Sequence, residues 1–207
     1  MSAVDSPSRD QDTLDQSLVR GVAWTGGVKW AVQMLLWGVT IVVARLLTPE
    51  DYGILGMAML FVGLVSLLSE FGLGEAILAF RELSSRQIAQ LNSTALILGA
   101  AGAGLTVLLA GSVALFFESP RLHNVLLVLS ATFVFSALGV VPGALLKRQL
   151  RYKALALIEG GSQLLTSGLT LLLAWLGSGY WALVVGQVMQ FAVASLLLVI
   201  LAGRGFR

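Results

Sequence analysis

The stretch ARLLTPEDYGILG (Ala44–Gly56) places four letters, TPED, between two of the most apolar segments of the chain. The flanking segments are long enough for α-helices to cross the ~30 Å hydrocarbon core of a bilayer. The polar letters therefore predict a short turn between two antiparallel membrane helices. Pro49 suits the first helical position, and Thr48 followed by Asp51 has the spacing of a capping box.

Composition points to the same class of protein. Hydrophobic residues make up 57% of the 207-residue chain and charged residues only 12%, about half the charged fraction of a soluble domain. The chain contains no cysteine and one histidine, His123, so cysteine-based metal sites are excluded and a histidine-based one is disfavoured. The basic balance is better explained by membrane orientation than by a nucleic-acid partner.

Six apolar stretches predict an all-α, polytopic bundle of six transmembrane helices within residues 18–207. Their approximate bounds are 21–46, 53–79, 88–117, 122–146, 154–177 and 180–203. Residues 1–17 are polar and lack the basic start and apolar core of a signal peptide. We expect this segment to be a disordered cytosolic tail.

Lys and Arg residues predict the orientation of the bundle. Most fall on the side of the N-terminus, whereas Arg45 and Arg121 fall on the other. By the positive-inside rule, both termini are cytosolic and the TPED turn faces outward. The residues on the cytosolic side are Arg9, Arg20, Arg81, Arg86, Lys147, Arg148, Arg151, Lys153, Arg204 and Arg207.

Catalytic patterns are missing from the apolar stretches. No Asp lies inside a predicted helix, which argues against aspartate-bound metal chemistry and against an aspartyl protease pair. The glycine-rich segment Gly99–Gly104 lacks the Lys-Ser/Thr of a phosphate loop and instead predicts close helix packing. We expect no enzyme activity and no cofactor.

Ionisable and amide side chains inside the apolar stretches are candidate substrate-binding groups. Lys29 and Glu70 fall at similar predicted depth on consecutive helices, so they suit a charged pair facing a cytosolic cavity. Gln33 and Glu159 are further candidates, and snorkelling to the interface is the alternative for such residues. Arg45 is open to three interpretations: capping the first helix, pairing with Glu50, or contacting substrate at the exit side.

Two helices carry helix-breaking residues near their cytosolic ends. One has Gly72 and Gly74, and the other has Gly139 and Pro142. A proline within a helix removes a hydrogen bond and kinks it, and broken helices often border a transporter's substrate path. These four residues are the candidate hinges.

Three stretches together resemble the polysaccharide biosynthesis and export proteins, lipid-linked oligosaccharide flippases of the multidrug/oligosaccharidyl-lipid/polysaccharide exporter superfamily. They are ARLLTPEDYG with the following FGLGEAI, then GVVPGALLKRQLRYKALALIE, and finally GYWALVVGQ. The resemblance covers about residues 19–201.

The resemblance implies a function. Such proteins move undecaprenyl-diphosphate-linked sugars across the bacterial inner membrane by alternating access, for lipopolysaccharide, capsule or exopolysaccharide synthesis. It implies H⁺ or Na⁺ as the coupling ion, and membrane lipids and the polymerase or glycosyltransferases of the pathway as partners. From the shared depth of Lys29 and Glu70 and the adjacent kink glycines, we expect Lys29 to contact the diphosphate and Glu70 to pair with it or bind the coupling cation. Family members have two lobes, so six helices predict a single lobe. A second lobe would be supplied in cis by a longer chain or by a second copy, and we favour the interpretation that this sequence is an N-terminal fragment.

Two other functions compete with this interpretation. A small-molecule or drug/cation antiporter of the same fold would place an acid in an aromatic cavity, and the tryptophans of the first helix suit it in part. A non-transporting membrane subunit of a glycan-assembly complex is the third hypothesis. Drug efflux would favour the former, and co-purification with a polymerase without flipping would favour the latter.

Overall fold

The computed structural model describes residues 32–69 and 84–205, together with Trp30. Predictions for residues 1–17 and for Lys29, Glu70, Gly72 and Gly74 fall outside these ranges. Regular secondary structure in the described part is helical, which confirms the predicted all-α class. The helices are α1 (Val32–Leu46), α2 (Pro49–Ser69), α3 (Ser85–Phe116), α4 (Pro120–Leu129), α5 (Ala131–Arg148), α6 (Tyr152–Trp175) and α7 (Tyr180–Gly205).

Helix lengths and compositions identify a multi-pass membrane protein. Within the described ranges, five spans are long and apolar enough to cross a bilayer. They are α2, α3, the consecutive pair α4–α5, α6 and α7, and the described part of α1 is a shorter apolar helix. The predicted transmembrane bundle is therefore confirmed.

Capping interactions determine where α2 and α3 begin. Helix α2 starts at Pro49, the first helical position that the capping pattern predicts, ahead of the apolar stretch that begins near residue 53. Helix α3 starts at Ser85, ahead of the apolar stretch that begins near residue 88. At α3, the Ser84 hydroxyl accepts a hydrogen bond from the backbone N–H of Gln87 at 3.3 Å. In return, the side-chain Oε1 of Gln87 accepts one from the backbone N–H of Ser84 at 2.9 Å. This capping box satisfies N–H groups that the helix itself leaves unpaired.

The predicted fourth helix (122–146) is instead two helices that meet at Ser130. The Phe133 N–H donates to the Ser130 carbonyl, three residues back, so the helix tightens here. The Ser130 hydroxyl donates to the Leu127 carbonyl at 2.7 Å, and the Thr132 hydroxyl to the Leu129 carbonyl at 2.6 Å. Hydroxyls that bond back onto their own helix commonly bend it, which hydropathy alone does not reveal.

The helices pack around α7 and α4. Helix α7 contacts α2, α4, α5 and α6, while α3 contacts α2, α4 and α5. Leu122, Leu126 and Leu129 of α4 are fully buried. The end of the bundle holding residues 47–51, 117–121 and 176–180 is termed the TPED end, and the end holding residues 84–86 and 147–153 the basic end.

Small residues allow α3 and α5 to approach closely. A Cβ at Gly99 would lie 2.5 Å from the Ala137 Cβ and 2.7 Å from the Phe133 carbonyl oxygen. Close packing predicted for the glycine-rich segment is thus confirmed at Gly99. A Cβ at Gly104 would meet no atom within 4 Å, so the contact belongs to one face of α3.

Candidate functional site

Asp51 caps two helices at the TPED end. Its Oδ2 accepts the Thr48 N–H at 2.9 Å and the Thr48 hydroxyl at 2.7 Å. Its Oδ1 accepts the N–H of Tyr180, the first residue of α7, at 2.9 Å. The predicted cap of α2 is confirmed, and the same carboxylate also sits at the positive end of the α7 dipole.

Gly179 permits this approach. Its φ is +56°, in the left-handed region, and a Cβ there would lie 3.2 Å from the Asp51 Oδ1. Any side chain would therefore be both strained and crowded. The glycine before α7 and the aspartate after Thr48 act together to join two turns that are 129 residues apart.

Glu50 extends the junction to a third turn. Its Oε1 accepts a hydrogen bond from the Arg121 guanidinium at 2.8 Å, and both side chains are mostly exposed. Of the three interpretations of Arg45, the pairing with Glu50 does not occur in the described structure, where the Glu50 partner is Arg121. Arg45 itself is exposed. The TPED turn is therefore chiefly a structural junction.

A cavity of about 180 Å³ lies between α2, α4, α5 and α7 and is partly open at its surface. Counted from the helix starts at 1.5 Å per residue, its walls lie roughly 10 to 26 Å from the TPED end, near mid-membrane depth. The residues that surround it are Met59, Val62, Gly63, Ser66, Leu129, Thr132, Phe133, Ser136, Gln187 and Phe191. This central cavity is the candidate functional site.

Neutral polar groups distinguish the central cavity from a simple packing defect. Ser66, Thr132, Ser136 and Gln187 bring hydroxyl and amide groups from three helices. Within the described ranges, neither the Ser66 hydroxyl nor the Gln187 amide has a hydrogen-bond partner, and both are accessible from the cavity. An unpaired polar group at membrane depth is costly, so both groups are available to a ligand or to water.

A second polar cluster joins α6 to α7. The Thr166 hydroxyl donates a hydrogen bond to the side-chain Oε1 of Gln190. The side-chain Nε2 of Gln190 donates one to the Ser162 hydroxyl at 3.2 Å. Ser162 and Thr166 are buried. Such interhelical hydrogen bonds hold membrane helices together, so Gln190 has a structural role here.

The predicted binding residues are dispersed in the described structure. Gln33, Arg45 and Glu159 are exposed, on α1 and α6, and none of them lines the central cavity. Lys29 and Glu70 lie outside the described residues, and their predicted pairing stays a prediction. The site described here therefore adds to the predicted residues without replacing them.

The candidate hinges Gly139 and Pro142 lie within α5. A Cβ at Gly139 would be 3.4 Å from the Leu198 Cδ1 and 3.5 Å from the Ser195 Cβ. Gly139 therefore packs closely against α7. Both residues follow the Ser130 break in the same membrane span, and Gly72 and Gly74 lie outside the described residues.

Ser66, Thr132 and Ser136 were not predicted as site residues from the sequence. Thr132 and Ser136 are four residues apart, so they lie on one helical face. That spacing within an apolar run is a usable signal. It is weak by itself, because serine and threonine also serve membrane helices as packing residues.

Comparison with known proteins identifies relatives. Residues 42–205 match the family described as "Polysaccharide biosynthesis protein". The chain is similar to the lipopolysaccharide biosynthesis protein WzxC of Escherichia coli (strain K12), with 24% identity over 183 residues. That alignment covers 86% of this chain and 36% of the relative, so the chain spans about a third of the length of the curated relative. No solved structure matches.

Proposed function

The chain belongs to the polysaccharide biosynthesis protein family, and from this we propose that it forms one lobe of a transporter for a polysaccharide precursor. The cargo is a lipid-linked oligosaccharide, carried on undecaprenyl diphosphate and flipped across the bacterial inner membrane by alternating access. The observation that carries the proposal is the family match across residues 42–205, which coincides with the described membrane bundle.

The central cavity supports transport over a purely structural role. It places hydroxyl and amide groups around an open space near mid-membrane depth, where they can contact a ligand. Lys29 and Glu70 are proposed to act from the cytosolic side, Lys29 at the diphosphate and Glu70 as its partner or as a site for H⁺ or Na⁺. The second lobe is supplied in cis or by a second copy.

Deleting the gene in the bacterium that encodes it tests the proposal. We expect loss of a surface polysaccharide and accumulation of its lipid-linked precursor, in a form inaccessible to reagents added outside the inner membrane. Complementation with the native gene restores both, whereas Lys29→Ala and Glu70→Gln variants at normal membrane levels do not.

Each competing function has its own outcome in this experiment. Normal surface polysaccharide together with impaired drug efflux would replace the proposal with an antiporter. Normal precursor flipping with lost polymerisation would instead identify a subunit of an assembly complex. Normal export by the Lys29→Ala and Glu70→Gln variants would refute the roles of these two residues and leave the proposed transport function standing.

A further inference from the structure

We propose that the central cavity binds one uncharged sugar ring of the transported precursor. The choice of a sugar rests on the proposed function, whereas the existence of a binding site rests on the cavity and its unpaired polar groups. The cavity lies within one lobe, so this contact does not require the second lobe.

The size of the cavity suits a single six-membered ring. Its volume is about 180 Å³, and a protein cavity of about 150 Å³ accommodates benzene. A disaccharide is too large for this space. One ring can enter while the rest of the oligosaccharide remains outside.

Hydrogen-bonding groups in the wall match the hydroxyls of such a ring. Ser66 and Gln187 have no partner within the described part of the chain, and the Gln187 amide offers two N–H donors and one carbonyl acceptor. A ring hydroxyl both donates and accepts, so it satisfies either residue. A hydrogen bond to either residue replaces one that the sugar hydroxyl leaves behind in water.

The remaining wall is apolar, with Phe133 and Phe191 providing aromatic surface. A pocket of mostly apolar surface with a few placed polar groups is the usual form of a small-molecule site. The C–H faces of a sugar ring fit such walls while its rim of hydroxyls meets the serine and glutamine. The combination favours a sugar over a purely apolar ligand.

The charge of the lining residues bears on which sugars the cavity can bind. Asp, Glu, Lys and Arg are absent from the described lining. Burying an unpaired charge is far more costly than burying a hydroxyl, so a diphosphate, a uronic acid or an amino sugar in its cationic form is disfavoured. The described lining therefore matches the neutral glycan better than the diphosphate.

Two glycine positions on α2 provide a matched pair of variants. Gly63 lines the cavity and Gly56 does not, and a Cβ at either position meets no atom within 4 Å. Leucine at Gly63 adds an isobutyl group that competes for the cavity. Leucine at Gly56 adds the same group to the same helix two turns away. Gln187→Leu is a second test, because it removes hydrogen bonding while nearly preserving volume.

Binding is measured on the purified chain in lipid nanodiscs by saturation-transfer NMR. The probes are D-glucose, D-galactose and N-acetylglucosamine, with glucosamine, glucuronate and benzene as comparison ligands. We expect at least one neutral sugar to bind at least tenfold more tightly than either charged sugar. Gly63→Leu abolishes this binding, Gly56→Leu leaves it unchanged, and Gln187→Leu weakens it about three- to tenfold.

Binding of benzene without any neutral sugar would overturn the inference, as would equal sugar binding by the native chain and Gly63→Leu. Neither result bears on the proposed function, which the gene deletion tests separately. Conversely, sugar binding in a protein whose deletion leaves polysaccharide export intact would refute the transport role and keep the site.

Discussion

Replacing Asp51 by asparagine tests whether one carboxylate holds two helix starts. Asparagine keeps one oxygen acceptor, so it can serve Thr48 or Tyr180 but not both as the native oxygens do. Because the group is partly exposed, we assign about 1 kcal/mol to the lost charged hydrogen bond, below the usual range for such bonds. Loss of charge at two helix N-termini adds about 0.5 kcal/mol each.

The expected destabilisation is therefore about 2 kcal/mol, which lowers Tm by roughly 4–8 °C for a domain of this size. Thermal unfolding in nanodiscs at a single fixed scan rate measures the shift, because membrane proteins often unfold irreversibly. Hydrogen exchange should also lose protection at the Thr48 and Tyr180 amides. A global loss of protection without preference for these amides would contradict the double cap.

Glu50→Gln is the matched control, since it makes the same chemical change one residue away. Its ion pair with Arg121 joins side chains that are 72% and 58% exposed, respectively. Exposed pairs contribute about 0–1 kcal/mol, so the expected Tm shift is no more than about 4 °C. If Glu50→Gln lowered Tm as much as Asp51→Asn, the effect would be general charge at the TPED end and not helix capping.

Two further pairs of variants test the interior packing. Gly99→Ala should destabilise the bundle by about 1–3 kcal/mol, because the added methyl group overlaps α5. Gly104→Ala, the control on the same helix, should be neutral. Equal Tm values for the two variants would exclude the close contact at Gly99. Thr166→Val should cost about 1 kcal/mol by removing the hydroxyl that bonds Gln190, and a double-mutant cycle with Gln190→Leu should recover part of that loss. Strict additivity in the cycle would show that the two side chains do not interact.

Much of the fold could be predicted because hydropathy and membrane thickness constrain it strongly. The apolar runs identified the membrane bundle, and the Thr48–Asp51 spacing identified a helix start. Helix bounds were less accurate. The break at Ser130 depends on hydroxyl groups that bond back to the Leu127 and Leu129 carbonyls, a local choice to which hydropathy is insensitive.

The site was harder to predict because it depends on which helix faces meet. The spacing of Thr48 and Asp51 pointed to the cap of α2, but nothing local indicated that Asp51 also caps α7, a contact between residues 129 positions apart. The same holds for the central cavity. Gln187 and Ser66 lie on different helices, and only the packing of α2 against α7 places them around one space.

The length of α3 places the central cavity relative to the hydrocarbon core. Its span of 31 residues rises about 46 Å at 1.5 Å per residue. Even at the 40° upper end of observed tilts, about 36 Å would lie along the membrane normal, more than the ~30 Å core. One end of α3 therefore projects from the core.

The basic end of α3 is the part that projects, because its polar residues are concentrated there. They are Arg86, Gln87, Gln90, Asn92, Ser93 and Thr94. The core then begins near Ala95 and extends to the TPED end, so the walls of the central cavity lie within it. At that depth the surrounding hydrocarbon offers Ser66 and Gln187 no hydrogen-bond partner, so only a ligand or a water molecule inside the cavity can supply one. A hydrogen bond between an uncharged sugar and these two side chains is electrostatically stronger in this low-dielectric setting than at the membrane surface, which favours the cavity as the place of the sugar contact.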